Sequence, residues 1–433
     1  MKFSENEFRD HLFNNHRDTI GKLIIGRRKP VSWNQEGFPP IRFLLQQLAE
    51  HRINQVLDGL DSLVLTAKEL RLARTGDSTT RIDLFGTSES NGLTIIELKK
   101  SRQTERQAYT ELLAYANHFC SIFPGANENV INSVLVAPME TRTVRDAFAQ
   151  EVILNRKATA ALMPKDITGR VLLEAYYPDE SYYRWFENNL LDDRSMFTVA
   201  LSFQALPGWI DSDTSSNGGS MPEYSKSALN TVASTISSRL QSDGFHSMVY
   251  ASQKWGEIGA LFPFPNAVIA VFVNPFASFR TGVYAEDVHG ESDSGRIEEV
   301  QSILNQLTLD EKDSWLESVE SSFQDNAIRT TRLEFEKCFQ NSEWENVETE
   351  ISLPNWNAFS MSLIDAVWVH NLDVYRTGLL REVYLKYTEY IYKKGNDPIY
   401  YSDDLPKYSY LTFRKFMAAW EILSGLGLGE EHA

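Results

Sequence analysis

The feature that most constrains the fold of this chain is a pair of apolar segments that carry charged residues. RIDLF at 81–85 and LTIIELKK at 93–100 have the aliphatic, β-branched character of strands, and a short polar stretch separates them. Glu97 and Lys99 fall on one face of the second segment because side chains alternate along a strand. Both faces are otherwise largely apolar, which is typical of a central, buried strand. A charge there costs free energy unless it is paired or holds a metal.

The register of the two segments decides whether their charges meet. If they form a hairpin with a five-residue loop over 88–92, Thr87 faces Leu93 and Asp83 lies opposite Glu97, with β-carbons ~5 Å apart. Two carboxylates at that distance repel each other, and a divalent cation between them removes the repulsion. Hard oxygen ligands favour Mg²⁺ or Mn²⁺. With Lys99 on the same face to polarise a phosphate or steady a water, the pattern predicts metal-assisted phosphodiester hydrolysis.

A purely structural interpretation of the same residues stays open at this point. The strand ending in ELKK can simply reach solvent, with Glu97, Lys99 and Lys100 as an ordinary charged edge. Asp83 can pair with Arg81 or Arg71. Most carboxylates in proteins have no catalytic role, so the hairpin alone does not separate the two interpretations.

The surrounding periodicity predicts a mixed sheet flanked by helices, in the order α-βββ-α-β-α-β. The predicted helices are 4–15, 40–58, 104–119 and 143–153, and the predicted strands are 70–74, 81–85, 93–99, 131–138, 158–163 and 169–177. This order places the first part of the chain in the mixed α/β class.

RIDLF, the short polar loop, LTIIELKK and the helix after them resemble the PD-(D/E)XK nuclease superfamily over residues ~1–175, closest to its restriction-like and DNA-repair endonuclease branch. The resemblance implies an αβββαβ core and a Mg²⁺- or Mn²⁺-dependent nuclease whose active-site residues are Asp83, Glu97 and Lys99, with Asp83 and Glu97 on the metal. That branch often carries Gln-x-x-x-Tyr on the next helix. Here Glu111 replaces the glutamine and Tyr115 matches the tyrosine. The usual proline before the aspartate is replaced by Ile82.

Further residues are predicted to take part in metal or DNA binding. Glu7 stands at the family's usual place for an auxiliary metal carboxylate, and it is also the capping-box partner of Ser4. The segment IIGRRKPVSW at 24–33 is interpreted either as a loop that contacts the DNA backbone or as an ordinary basic surface loop. The predicted DNA-contacting residues are Arg27, Arg28, Lys29, Lys100 and Arg102.

The distribution of charge indicates two parts with different partners. The chain has 433 residues and a net charge of -17, yet residues 1–180 hold 23 basic and 23 acidic residues, so residues 181–433 carry all the excess. We therefore expect a nuclease-like domain at 1–180 that binds DNA, a connecting segment with a Ser/Gly-rich linker at 181–222, and an acidic, mostly helical α+β domain at 223–433. The last domain is expected to regulate the first through a protein partner or through homo-oligomer contacts.

The sequence also predicts the cellular compartment and the function of the protein. Two cysteines, no signal-peptide pattern and no long apolar run predict a cytoplasmic protein that does not bind membranes. The eight histidines show no zinc-ligand spacing. The predicted function is a metal-dependent deoxyribonuclease, acting in defence against foreign DNA or in DNA repair. The alternative is a catalytically inactive nuclease-fold module that serves as a DNA- or protein-binding scaffold.

Overall fold

The chain folds into two compact units, which are described separately from a computed structural model. The first unit comprises Met1–Asn34 and Arg42–Trp185, and the second comprises Gln35–Ile41 and Phe186–Ala433. The structure describes residues 4–34, 39–72, 80–88, 92–105, 107–123, 130–167, 170–183, 186, 196–204, 223–253, 263–276, 291–340, 342, 345–359, 361–364, 366, 370 and 372–394.

A seven-stranded mixed sheet forms the centre of the first unit. Its strands are β1 (Ile24–Ile25), β2 (Val64–Arg71), β3 (Arg81–Ser88), β4 (Gly92–Leu98), β5 (Ile131–Val136), β6 (Thr159–Ile167) and β7 (Arg170–Tyr176). They are arranged in the order β1-β7-β6-β5-β4-β3-β2. Neighbours from β2 to β4 are antiparallel, and those from β4 to β6 are parallel. The predicted mixed α/β class is confirmed.

Helices pack on this sheet. They are α1 (Glu5–Asn15), α2 (Ile41–Gly59), α3 (Arg102–Glu105), α4 (Ala108–Ile122) and α5 (Arg142–Ala149), which continues as a π-helix over Gln150–Leu154. The structure differs from the prediction at β1, which was assigned to a loop, and in two further places. The helix predicted at 104–119 is divided into α3 and α4, and the strand predicted at 70–74 begins already at Val64. As the edge strand, β2 is exposed along most of its length and lacks the apolar alternation that marks a strand.

Apolar packing fixes α4 against the strands that carry the charged residues. Leu112, Tyr115 and Phe119 are buried on one side of α4, and the ring of Phe119 stacks on that of Phe85 in β3 with centroids 5.1 Å apart. The strand β4 is buried from Thr94 to Leu98. The helix therefore lies over the end of β3 and β4 and can present side chains to it.

A five-stranded antiparallel sheet organises the second unit. The strands are β8 (Met196–Phe203), β9 (Ser247–Gln253), β10 (Asn266–Val273), β11 (Thr349–Ser352) and β12 (Val374–Arg376), in the order β11-β8-β10-β9-β12. The helices are α6 (Glu223–Ser242), α7 (Glu291–Leu304), α8 (Leu309–Phe339), α9 (Trp356–Phe359), α10 (Met361–Ile364) and α11 (Gly378–Lys394). None of the helices in the described part of the chain is long and apolar enough to cross a bilayer.

The segment predicted to connect the two domains, 181–222, contains a strand of the second sheet. Met196–Phe203 pairs with β10 on one side and β11 on the other, and its residues from Thr198 onward are buried. The sequence MFTVALSF is apolar enough to lie inside a sheet. It was assigned to the connecting segment because it is close to the linker in the sequence. The Ser/Gly-rich stretch at 212–225 falls mostly outside the described residues.

Candidate active site

The hairpin of β3 and β4 has the predicted register. Thr87 pairs with Leu93, and the pairing continues to Leu84 and Ile96. The next position along this ladder sets Asp83 against Glu97. The Asp83 carboxylate accepts a hydrogen bond of 2.9 Å from the main-chain N–H of Leu98 through Oδ2. Asp83 therefore lies across the end of β4, beside Glu97 and not on the opposite face of the sheet.

Glu97 is a buried carboxyl group with one unsatisfied oxygen. The residue is 3% exposed, and its Oε1 lies 2.6 Å from Nζ of Lys99. Its Oε2 is buried without a hydrogen-bond partner. Burial, followed by the negative charge of Asp83, raises the pKa of Glu97 to about 9. Glu50 and Glu105 also keep one buried oxygen without a partner, so the raised pKa and the second carboxylate, Asp83, are what mark Glu97 as a candidate functional residue.

Lys99 lies between two carboxylates. Its Nζ is 2.6 Å from Oε1 of Glu97 and 2.5 Å from Oε2 of Glu111, which α4 brings over the end of β4. Burial alone would lower the pKa of Lys99, but the two carboxylates outweigh burial and raise it. The ammonium group therefore stays charged and is held in place by both acids.

Arg9 of α1 is a buried cation at the site that the sequence analysis missed. The residue is 8% exposed, and its Nη1 lies 3.5 Å from Oδ1 of Asp83 and 3.2 Å from Oε1 of Glu69 in β2. The sequence did contain a signal for it. Arg9 follows Phe8 and precedes Leu12, two residues on the buried face of α1, and a charge beside such a face requires a partner.

Glu5, which the sequence analysis did not single out, is the α1 carboxylate that lies near the ends of β3 and β4. Oε2 of Glu5 accepts a hydrogen bond of 3.3 Å from the main-chain N–H of Lys100. Burial raises the pKa of Glu5, the charge of Lys99 lowers it, and that of Asp83 raises it again. Glu5 therefore faces the charged residues at the ends of β3 and β4.

Glu7 instead completes the capping box at the start of α1. Its Oε2 accepts hydrogen bonds of 2.7 Å from the Ser4 N–H and 2.8 Å from the Ser4 hydroxyl, and these bonds lower the pKa of Glu7. The structure does not bring Glu7 to the other predicted site residues. Residues two apart on a helix point in nearly opposite directions, so Glu5 and Glu7 cannot both face the same site.

Tyr115 lies beside the carboxylates but its hydroxyl is engaged with the main chain. The hydroxyl donates a 2.7 Å hydrogen bond to the carbonyl oxygen of Arg81, at the start of β3. Burial raises the pKa of Tyr115, as do the nearby charges of Glu97 and Glu111. In this arrangement Tyr115 ties α4 to β3 and so positions Glu111, while its own proton is not available to a substrate.

The predicted DNA-contacting arginines after β1 are neutralised within the protein. Arg27 lies 3.0 Å from Asp58 and 2.6 Å from Asp61, and Arg28 lies 3.6 Å from Glu50 and 5.0 Å from the centre of the Tyr177 ring. The loop that carries them follows a strand four positions from β4, which is ~19 Å at the usual strand spacing. Lys29, in the same loop, is exposed. The structure does not bring this loop to the carboxylates.

Lys100 and Arg102 lie close to the site because they directly follow β4. Both are exposed. Lys100 uses its main-chain N–H to bind Glu5, and Arg102 forms a surface ion pair with Glu140. Their side chains therefore lie at the rim of the site. To contact a phosphate there, Arg102 would exchange its partner Glu140 for the phosphate.

Four carboxylates converge at the end of β3 and β4, and we call them the acidic cluster: Glu5, Asp83, Glu97 and Glu111. Two cations, Lys99 and Arg9, contact them, so the fully ionised cluster keeps an excess of negative charge. As the side chains stand, no three His, Cys, Asp or Glu residues within the described ranges are placed to hold a metal ion. Lys99 occupies the space between Glu97 and Glu111. The hard oxygen donors and the unpartnered oxygen of Glu97 nevertheless fit a cation such as Mg²⁺ or Mn²⁺.

Comparison with known proteins identifies no relative of this chain. No family model, no curated protein and no solved structure matches it. The interpretation of the site therefore rests on the arrangement of the acidic cluster and Lys99.

Proposed function

We propose that this chain is a metal-dependent deoxyribonuclease that hydrolyses DNA phosphodiester bonds at the acidic cluster. The observation that carries the proposal is Glu97, a buried carboxyl group that has Asp83 beside it, Lys99 bound to one oxygen, and no partner for the other. A structural ion pair does not require an excess of acid around it. A site that accepts a divalent cation does, because the cation supplies the missing positive charge.

Asp83 and Glu97 are the residues that would hold the cation, with Glu5 as the auxiliary carboxylate. A bound Mg²⁺ or Mn²⁺ would polarise the phosphate and lower the pKa of a water molecule. In the hydrolysis, the water oxygen forms a new bond to phosphorus, one bridging P–O bond breaks, and the leaving oxygen takes up a proton. Arg9 holds Asp83 across the end of β4 through the 3.5 Å contact.

Lys99 provides a positive charge for the phosphate. Asp83 and the unpartnered Oε2 of Glu97 would hold the cation, while Lys99 contacts the other oxygen of Glu97, Oε1. Glu111 also retains Lys99 at the site, 2.5 Å away in the present arrangement. In this position the ammonium group can stabilise the negative charge that develops on the phosphate oxygens.

The resemblance of the hairpin and α4 to the PD-(D/E)XK superfamily supports the same proposal. The element order of the first unit, with three antiparallel strands, a helix and a parallel strand, is compatible with the αβββαβ core that the resemblance implies. We extend the proposal to a cytoplasmic role in defence against foreign DNA or in DNA repair. The acidic second part of the chain would restrain the nuclease until a protein partner or a second copy binds, because its charge repels DNA.

One observation favours a second candidate, a nuclease-fold module that binds DNA or protein without cutting. Lys99 fills the space between Glu97 and Glu111, and the described residues contain no ready-made metal site. If the ion pairs of Lys99 with Glu97 and Glu111 only stabilised the fold, the protein would have no nuclease activity. The two candidates differ in whether the acidic cluster binds a divalent cation.

The experiment that separates them is cleavage of supercoiled and linear DNA by the full chain with Mg²⁺, Mn²⁺ or EDTA. The variant is Glu97→Gln, and the matched control is Glu50→Gln, which alters another buried glutamate, 1% exposed, on α2. The nuclease proposal predicts metal-dependent cutting that Glu97→Gln abolishes and Glu50→Gln retains. DNA binding without cutting, together with no Mn²⁺ binding in calorimetry, would instead establish the non-catalytic module.

A further inference from the structure

Two arginines face each other across the first hairpin of the sheet. Arg71 in β2 and Arg81 in β3 are directly paired in the antiparallel register. Residues in such a pair have β-carbons ~5 Å apart and point to the same side of the sheet. Both residues are exposed, and the Arg81 side chain keeps 40% of its surface accessible. Like charges opposite each other in a sheet are destabilising, so this pair requires a physical explanation.

Within the described ranges, carboxylates neutralise this pair only in part. Arg81 forms an ion pair with Glu69, with Nη1 and Oε1 3.8 Å apart, and Glu69 lies nearer to Arg9, at 3.2 Å. Arg71 makes no ion pair within the described residues. Tyr115 binds only the main-chain carbonyl of Arg81 and leaves its guanidinium unaffected. The two side chains therefore present a concentrated positive charge to solvent.

The arginine pair lies on the same face as the acidic cluster. Arg81 and Asp83 are two residues apart on β3, so their side chains point the same way, ~7 Å apart along the strand. Contacts confirm this placement, because Oε1 of Glu69 contacts both Arg81 and Arg9, and Arg9 contacts Asp83. A spacing of this size is similar to the distance between neighbouring phosphates of one nucleic-acid strand.

We infer that Arg71 and Arg81 together bind a backbone phosphate of DNA, adjacent to the phosphate at the acidic cluster. This inference rests on the proposed nuclease function and names the surface that holds its substrate. Two guanidinium groups on one side of a hairpin can each donate paired hydrogen bonds to a phosphate, and they relieve their mutual repulsion by doing so. The arginines after β1, which the sequence had suggested for this role, are already bound to carboxylates.

The test is the binding of a fluorescent DNA duplex in EDTA, where no cleavage takes place, followed by anisotropy at several salt concentrations. The variants are Arg71→Gln, Arg81→Gln and the double replacement. We expect the double variant to bind about tenfold more weakly at moderate salt, and the slope of log K against log salt to fall by about one. Arg170→Gln is the matched control, because it removes an exposed arginine from β7, three strand positions from β4.

A second measurement reports on the pair without DNA. Arg71→Gln removes the repulsion from Arg81, so its melting temperature at low salt is expected to exceed that of the wild type. The difference is expected to vanish at about 1 M salt, where charges are screened within ~3 Å. A lower melting temperature for Arg71→Gln at low salt would contradict the unbalanced charge on which the inference depends.

The outcomes distinguish the arginine pair from the nuclease proposal. If the wild type cuts DNA and the double variant binds DNA as tightly as the wild type, the inference about the arginine pair is overturned and the nuclease proposal stands. A wild type that binds no DNA in EDTA at any salt concentration but cuts it with Mn²⁺ would overturn the pair and leave the nuclease proposal standing. Weaker binding with a reduced salt slope in the double variant, and neither change in Arg170→Gln, would support the pair whether or not the protein cuts DNA.

Discussion

Nζ of Lys99 lies 2.6 Å from Oε1 of Glu97, two residues earlier on the same face of the sheet. This ion pair sits at the end of a buried strand, and Oε2 of Glu97 remains without a partner. The pair therefore neutralises only part of the negative charge that Asp83, Glu97 and Glu111 bring together. Metal binding, pH dependence and the effects of substitutions all follow from that imbalance.

Mn²⁺ binding should strengthen with pH. Glu97 has a pKa raised to about 9, so below this value the metal-free protein carries a proton that the cation must displace. Because the charged form binds metal and the protonated form does not, we expect the affinity to rise by about tenfold per pH unit between pH 6 and 8. Calorimetry in buffers of different ionisation enthalpy should show about one proton released. Equal affinity at both pH values without proton release would contradict this account.

Replacement of Glu111 by glutamine should make this pH dependence less steep in the neutral range. Glu111 approaches Glu97 and contributes to its raised pKa, so its loss lowers that pKa and favours the metal-binding form. We expect severalfold tighter Mn²⁺ binding at pH 7 in Glu111→Gln, measured by calorimetry. Glu140→Gln, which alters an exposed acid on the Arg102 side, serves as the control. Weaker binding by Glu111→Gln at pH 8 would show instead that Glu111 is itself a metal ligand.

The hairpin of β3 and β4 could be predicted from the sequence because its signals are local. Alternation and loop length set the register, and the register alone places Asp83 beside Glu97. Glu111 was singled out through the resemblance to the PD-(D/E)XK superfamily, in which the next helix often carries a glutamine at this position. Arg9 and Glu5 could not be found in this way, because α1 is far from the hairpin in sequence and only tertiary packing brings it to Asp83.

Arg9 is expected to hold the site together in the absence of metal. It is the only cation contacting Asp83 among the described residues, and its removal leaves the largely buried Asp83 carboxylate without a counter-charge. Arg9→Leu should lower the free energy of unfolding by about 2 kcal/mol in EDTA, measured by urea denaturation. Saturating Mn²⁺ should restore part of this loss. Lys22→Leu, at an exposed position, should stay within about 0.5 kcal/mol of the wild type. An equally small effect of Arg9→Leu would contradict a stabilising role of Arg9 at the site.

Substitutions of Glu5 and Glu7 should have different effects, one on Mn²⁺ affinity and the other on the stability of α1. Glu7→Ala loses the capping box with Ser4, so we expect a lower free energy of unfolding and an unchanged Mn²⁺ affinity. Glu5→Gln should weaken Mn²⁺ binding severalfold and keep the stability near that of the wild type. Denaturation and calorimetry on both variants measure these quantities. Weaker Mn²⁺ binding by Glu7→Ala and unchanged binding by Glu5→Gln would instead indicate that Glu7 is the auxiliary metal carboxylate.

The basic residues show how contacts between distant segments change what a local sequence pattern suggests. IIGRRKP has a high local density of positive charge, but Arg27 is bound by Asp58 and Asp61, which lie more than thirty residues away in the sequence. Arg71 and Arg81 are single charges in separate segments, and only the β2–β3 register makes them neighbours. Local charge density therefore does not identify a surface whose charges come from pairing between distant strands.

The most direct test of the nuclease site is the rate of Mn²⁺-dependent cleavage of a linear duplex by wild-type and Asp83→Asn protein of equal purity and verified folding. Asparagine keeps the size of the side chain and removes the charge that the cation requires. We predict cutting by the wild type that EDTA stops, and a rate about a thousandfold lower in Asp83→Asn. Equal rates for the two proteins, or no cutting by the wild type with either metal, would contradict the assignment of this cluster as a nuclease active site.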